Sequence, residues 1–149
     1  MDKELLIKDL CGRLPYNLRV QFLRDFNHIC YKLSMIDVQD NEVYITSFEP
    51  YINKYVEIES IKPYLFPLSS MSNEQIEELK ELCSMYDPYH DYDSYENWGI
   101  EIFNKHIHSD KYNFRFNMKV IEWLNKNHFD YNHLIEKDMA IDATGLNIY

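Results

Sequence analysis

Near residue 70 the spacing of apolar residues changes from every second position to every third or fourth. A chain patterned that way keeps its sheet and its helices in separate halves. Upstream, Leu18, Val20 and Phe22 alternate with Asn17, Arg19 and Gln21, as a half-buried strand does. Ile29 to Val38 gives a second strand, Gln39-Asp40-Asn41 a turn, and Glu42 to Thr46 a third strand. Tyr55 to Ile61 alternates again as a fourth, with Val56 and Ile58 on one face. Consecutive strands with short polar connections predict an antiparallel four-stranded meander or small partial barrel. Lys62 to Leu68 carries Pro63 and Pro67, which a central strand rejects, so an edge strand or an extended crossover is expected there. Ahead of the sheet, Leu5, Leu6, Leu10 and Cys11 form a helical stripe over residues 3–12, with Gly12 as its stop and Pro15 beyond.

Downstream, Ser72-Asn73-Glu74-Gln75 is a capping box, and Met71 and Ile76 occupy the positions of a hydrophobic staple. Ile76, Leu79, Leu82 and Cys83 make the inward stripe of the helix that follows, leaving Glu77, Glu78 and Glu81 outside. Pro88 and a dense run of Asp and Tyr predict a loop, and helices are expected over 96–106 and 114–126. Asp130 is placed to cap a last short helix ending near Lys137, with Phe129 and Leu134 as its staple, and the segment from Ala140 to Tyr149 is expected to lie across the body. The fold class expected is α+β: an N-terminal helix, the meander or partial barrel, then three to four C-terminal helices. One domain is expected over 1–149, sheet-forming in 1–71 and helical in 72–149.

Composition narrows the classes further. With 46% hydrophobic and 27% charged residues the chain is neither disordered nor fibrous. Cys11, Cys30 and Cys83 are odd in number and lack a C-x-x-C pair, which predicts buried thiols in a reducing compartment rather than a disulfide framework. The first nine residues mix acids and bases around a three-residue apolar run, unlike a targeting segment, and no stretch approaches the roughly 18 apolar residues of a membrane span. A cytoplasmic protein is expected. Thirteen tyrosines suit a recognition surface if clustered, although they also accompany abundant Asn, Ile and Lys.

The charge is lopsided. Residues 1–71 sum to −2, residues 72–101 to −8 and residues 102–149 to zero, for −10 in all. Such a field repels nucleic acid and attracts basic surfaces. The expected partner is therefore a basic protein surface such as that of a nucleic-acid-binding host protein, with no direct nucleic acid and no membrane. The candidate binding residues are Glu74, Glu77, Glu78, Glu81, Asp87, Tyr89, Asp91, Tyr92, Asp93, Tyr95, Glu96 and Trp98, carboxylates interleaved with aromatic anchors. The plain alternative is a solvated acidic face that keeps the chain soluble.

Catalytic and metal motifs are sparse. His106 and His108 with Asp110, or His90 with Asp91 and Asp93, offer three ligands each, yet neither matches a zinc or calcium pattern. His128 and His133 flank Asp130, but Asp130 is better explained as a cap. Ser69 and Ser70 lack a nucleophile elbow, and phosphate-loop and dinucleotide motifs are missing, so neither a cofactor nor a catalytic residue is expected.

Three segments point elsewhere: Asp9-Leu-Cys-Gly-Arg-Leu-Pro-Tyr16, Ile61-Lys-Pro-Tyr-Leu-Phe-Pro-Leu-Ser-Ser-Met71, and the stretch from Trp123 to Ala143. Together they resemble a widespread family of small uncharacterised proteins from gut Bacteroidetes, their prophages and phages. That family often has glycine where this chain has His133 and Asp138; Asp138 suits a left-handed helix stop, and His133 is expected inside the short helix. The resemblance implies a mobile-element origin and no catalytic residues. The function expected is a non-enzymatic phage or prophage accessory protein acting by protein–protein binding, such as an acidic, nucleic-acid-mimicking (anti-CRISPR-like) inhibitor of a host or defence protein. A virion-associated structural component and a small hydrolase are the alternatives.

Overall fold

In the computed structural model, which describes residues 2–27, 29–48, 51–86 and 114–149, the Asp2 carboxylate accepts from Leu5 N (3.1 Å) and starts α1 (Lys3–Arg13). Leu6 and Leu10 on α1 are fully buried, as the stripe requires. Gly12 does not stop the helix, which continues into a 3-10 turn over Leu14–Tyr16 with Pro15 at its start, where a missing N–H costs nothing. Gly12 serves a close approach instead. A Cβ there would lie 2.9 Å from Asn125 Nδ2 on the facing helix.

Four strands then follow in sequence order, each antiparallel to the next: β1 (Arg19–Phe22), β2 (Cys30–Asp37), β3 (Glu42–Phe48) and β4 (Tyr51–Glu57). In β1 to β3 the alternation read from the sequence is the burial alternation, whereas the fourth strand, expected over Tyr55 to Ile61, runs over Tyr51–Glu57 and gives way to a turn. Leu18, Val20, Tyr31, Leu33, Val43 and Ile45 are fully buried, and Asn41 takes the left-handed conformation (φ 60°) that the β2–β3 turn needs. A 3-10 turn, Ile58–Ser60, leads from β4 into β5 (Ile61–Pro67), which pairs with β1 at the far side of the meander. Three residues span about 10 Å, whereas strands four places apart in a flat sheet lie about 19 Å apart. The sheet must curl.

The proline-bearing stretch is therefore a strand with neighbours on both sides, not an edge or a crossover out of the sheet. Leu23 N donates to Ser60 O (2.8 Å) in the same register that pairs Val20 with Pro63. Bonded and non-bonded pairs alternate, so Pro63 falls in a non-bonded pair and its ring nitrogen faces away from β1. On that side the parallel pairing with β7 (Ile141–Asp142) begins only at Tyr64. One residue further along the β1 side, Arg19 N and Tyr64 O are bridged by the Tyr149 hydroxyl, which accepts from the first (3.2 Å) and donates to the second (2.8 Å). Beyond it β5 pairs with β6 (Phe129–Asp130), and Phe66 N donates to His128 O (2.9 Å). The segment ending at Tyr149 thus lies across the body.

The helical half holds α2 (Asn73–Tyr86) and α3 (Phe114–Lys126) among the described residues; the helix expected over 96–106 lies outside them. Leu79, Cys83, Val120 and Leu124 join Leu68 and Phe129 in a second core beside that of the sheet. No helix forms over 130–137. Asp130 does cap, its two oxygens accepting from Leu134 N (2.9 Å) and Ile135 N (2.8 Å), but what it closes is a turn, with His133 and Asp138 both at φ 57°. His133, expected inside a helix, is left-handed here, as is Asp138. The fold is α+β. Of the thiols expected to be buried, Cys83 is, Cys30 is half-buried and Cys11 is exposed, because Cys11 sits on the outer side of α1.

Two stability effects are expected in denaturant unfolding. Gly12→Ala should lose up to about 2 kcal/mol, because the Asn125 amide bonded to the Tyr131 hydroxyl must give way, while helix propensity returns about 1 kcal/mol. His133→Gly and Asp138→Gly should each gain about 0.5 kcal/mol, since a left-handed L-residue costs roughly 1–2 kcal/mol and glycine's extra chain entropy returns about half of it.

Candidate functional site

Of the residues singled out by charge, Glu74, Glu77, Glu78 and Glu81 lie on α2; Asp87, Tyr89, Asp91, Tyr92, Asp93, Tyr95, Glu96 and Trp98 lie outside the described residues. The capping box forms as expected: Ser72 N donates to Gln75 Oε1 (2.9 Å) and Gln75 N donates to Ser72 Oγ (3.3 Å). The helix is thereby started at a fixed residue, and its phase is fixed with it. Leu79 and Cys83 turn inward, so the positions i, i+3, i+4 and i+7 from Glu74 turn outward, and all four glutamates are exposed. Glu74, bonded at the helix start by its own backbone N–H and by Ser72, is held below the usual carboxylate range. Lys80 reaches back to Glu77 (2.7 Å), an exposed pair worth about 0–1 kcal/mol. Glu74, Glu78 and Glu81 keep no cation among the described residues.

A second feature escaped the sequence reading because its members are far apart in the chain. A cleft of about 380 Å³ opens between α2 and the end of α3, lined by Phe66, Ser70, Gln75, Lys126, His128 and Tyr149. His128 forms its wall. Only 7% exposed, it stacks on Tyr149 with ring centroids 4.0 Å apart and planes 15° off parallel. Burial, together with the charge of Arg13, pushes its pKa down to about 4. Its Nδ1 is buried without a partner among the described residues, while the ring also bonds the Tyr16 backbone. It stays neutral at pH 7. Beneath it Arg13 and Asp9 form a fully buried ion pair.

Among the described residues the remaining candidate groups do not converge. Asp130 is committed to its two backbone amides, and His133 lies 3.5 Å from Glu136, away from His128 in its stack. Ser70 Oγ donates to Pro67 O and closes a turn. His90, His106 and His108, with Asp110, fall outside the described residues; among the described ones no group of three His, Cys, Asp or Glu is placed to hold a metal. No helix of the described residues is long and apolar enough to cross a membrane. Comparison with family models, with curated proteins and with solved structures returned no match.

Because His128 is neutral when folded and protonable when unfolded, the stability it supports is complete above pH 6.5 and is lost as pH falls towards about 4. About 2–3 kcal/mol should go over that window, at roughly 1.4 kcal/mol per unit. His128→Asn keeps a side chain that tolerates the left-handed backbone there (φ 59°) and removes the titration. Thermal melts of the two proteins from pH 7 to pH 4 should converge as the wild type weakens.

Proposed function

We propose that this chain is a non-enzymatic phage or prophage accessory protein that binds another protein, and that α2 offers carboxylates where the partner expects phosphates. The observation that carries the reading is the single exposed stripe of Glu74, Glu77, Glu78 and Glu81. At 1.5 Å per residue the four acids cover about 10.5 Å of helix axis. The axial steps are about 4.5, 1.5 and 4.5 Å, so the mean linear charge density, one carboxylate per roughly 3.5 Å, is close to the roughly 3.4 Å per phosphate along one strand of duplex DNA. That density along the axis suits a basic groove shaped for a nucleic-acid strand. A net charge of −10 steers such a partner and holds off nucleic acid itself. The target class proposed is a nucleic-acid-binding host or defence protein.

The test is capture from bacterial lysate by the wild type and by a variant carrying Glu74→Lys, Glu78→Lys and Glu81→Lys, with melting curves to show that both are folded. Nucleic-acid-binding proteins should be retained by the wild type, released by added duplex DNA and released at about 1 M salt, where screening reaches only about 3 Å. The variant should retain none of them. Equal retention by the folded variant would reject the mimicry.

A further inference from the structure

Among the described residues β4 borders the sheet, and its register shows which of its polar groups no described strand takes up. Ile58 N donates to Asn41 O (3.2 Å) in the register that pairs Glu42 with Glu57. Since bonded and non-bonded pairs alternate, Ile52, Lys54 and Val56 bond β3, while Tyr51, Asn53, Tyr55 and Glu57 turn their N–H and C=O groups outward. The side chains of those four are exposed, Tyr51 to 77% and Tyr55 to 56%. Edge strands are ordinarily guarded by a lysine, a proline or a bulge. The lysine of β4 is turned inside, with Lys54 Nζ 3.9 Å from the Phe22 ring centroid and 4.9 Å from that of Tyr31. Seven regular residues without proline or register shift are left as the border.

Two rows of side chains run inward from that border over the outer face. Met35, Tyr44 and Tyr55 are in register on β2, β3 and β4, with the two tyrosine rings 4.8 Å apart. The next row is Asp37, Glu42 and Glu57. Like charges directly opposite one another cost stability. Among the described residues only Arg24 answers this row, at 2.9 Å from Glu57 in an exposed pair. The row is complementary to a base that a partner would bring.

We infer that β4 accepts an extended segment of a basic partner protein, added antiparallel, with Lys or Arg at the segment's N-terminal end against Glu57 and aromatic or branched side chains against Tyr55 and Tyr51. Charge decides against a second copy of this chain, because pairing β4 with itself brings together two molecules of net charge −10. This surface lies apart from α2 and goes beyond the reading given for that helix. The probe is a fluorescent peptide, Arg-Lys-Val-Tyr-Val-Thr-Val-Tyr, and its counterpart with two glutamates replacing Arg-Lys, titrated by anisotropy. The basic peptide should bind at least about tenfold more tightly than the acidic one. Asn53→Pro removes an outward N–H without touching the bonds to β3 and should weaken binding at least about tenfold. Glu42→Lys with Glu57→Lys should reverse the preference between the peptides, and it decides alone if Asn53→Pro fails to fold. Unchanged binding by folded Asn53→Pro, unchanged preference in the charge-reversed pair, or a wild-type dimer abolished by Asn53→Pro would each overturn the proposal.

Discussion

One buried ion pair holds the sheet half and the helical half in register. Arg13 Nε donates to Asp9 Oδ2 (2.7 Å), and Arg13 Nη2 donates both to Asp9 Oδ1 (3.0 Å) and to the backbone oxygen of Phe129 (2.7 Å). Asn132 Nδ2 donates to the same Asp9 oxygen (2.8 Å), and the guanidinium lies 5.2 Å from the Tyr131 ring centroid. Neither charged side chain retains any exposure. Taking an ion out of water costs several kcal/mol, and a buried pair roughly repays that only when its remaining hydrogen-bonding groups are met. Here they nearly are, Arg13 Nη1 being the exception. What the pair contributes is placement rather than net stability. A planar fork fixes α1, β6 and the following turn at once, which a lysine on a flexible stem cannot do.

From that junction the rest of the middle follows. Because Arg13 holds the Phe129 carbonyl, β6 is fixed at the end of β5, and β5 is left with a gap of one bonded pair between β1 and β6. Tyr149 fills it from a segment far away in the chain, and its ring covers His128. Burial raises the Tyr149 hydroxyl well above the usual tyrosine range, as suits a group that must remain protonated to donate to Tyr64 O. The segments around Asp9, Pro63 and Trp123 are thus in mutual contact: Asp9 with Asn132, Gly12 beside Asn125, Phe66 on His128.

Sequence reading captured what is local. The capping box and the alternation of β1 to β3 each depend on side chains within a few residues of one another. It failed where a distant segment decides. Gly12 reads as a helix stop until Asn125 is beside it, and Pro63 reads as an edge residue until the phase of pairing with β1 is known. His133 reads as helical because Asp130 does cap, yet both Asp130 oxygens go to successive amides and pull the chain into a turn. The outward placement of Glu74, Glu77, Glu78 and Glu81 was legible because a helix of known phase has a calculable outer face. The cleft, by contrast, is assembled from three separate segments and has no signature in any one of them.

The two surfaces differ in what would give them selectivity. An acidic stripe on a helix attracts any basic groove, so its preference rests on spacing and fades as salt screens it. An open strand bonds any backbone equally well, and preference there must come from side chains. On β4 the carboxylate row does this by penalising slippage. Shifting a partner strand by one residue moves all of its side chains to the opposite face. Its bases then leave Asp37, Glu42 and Glu57 on the outer face and meet Lys54 on the inner one. The lysine that fails to guard the edge from outside therefore guards the register from within.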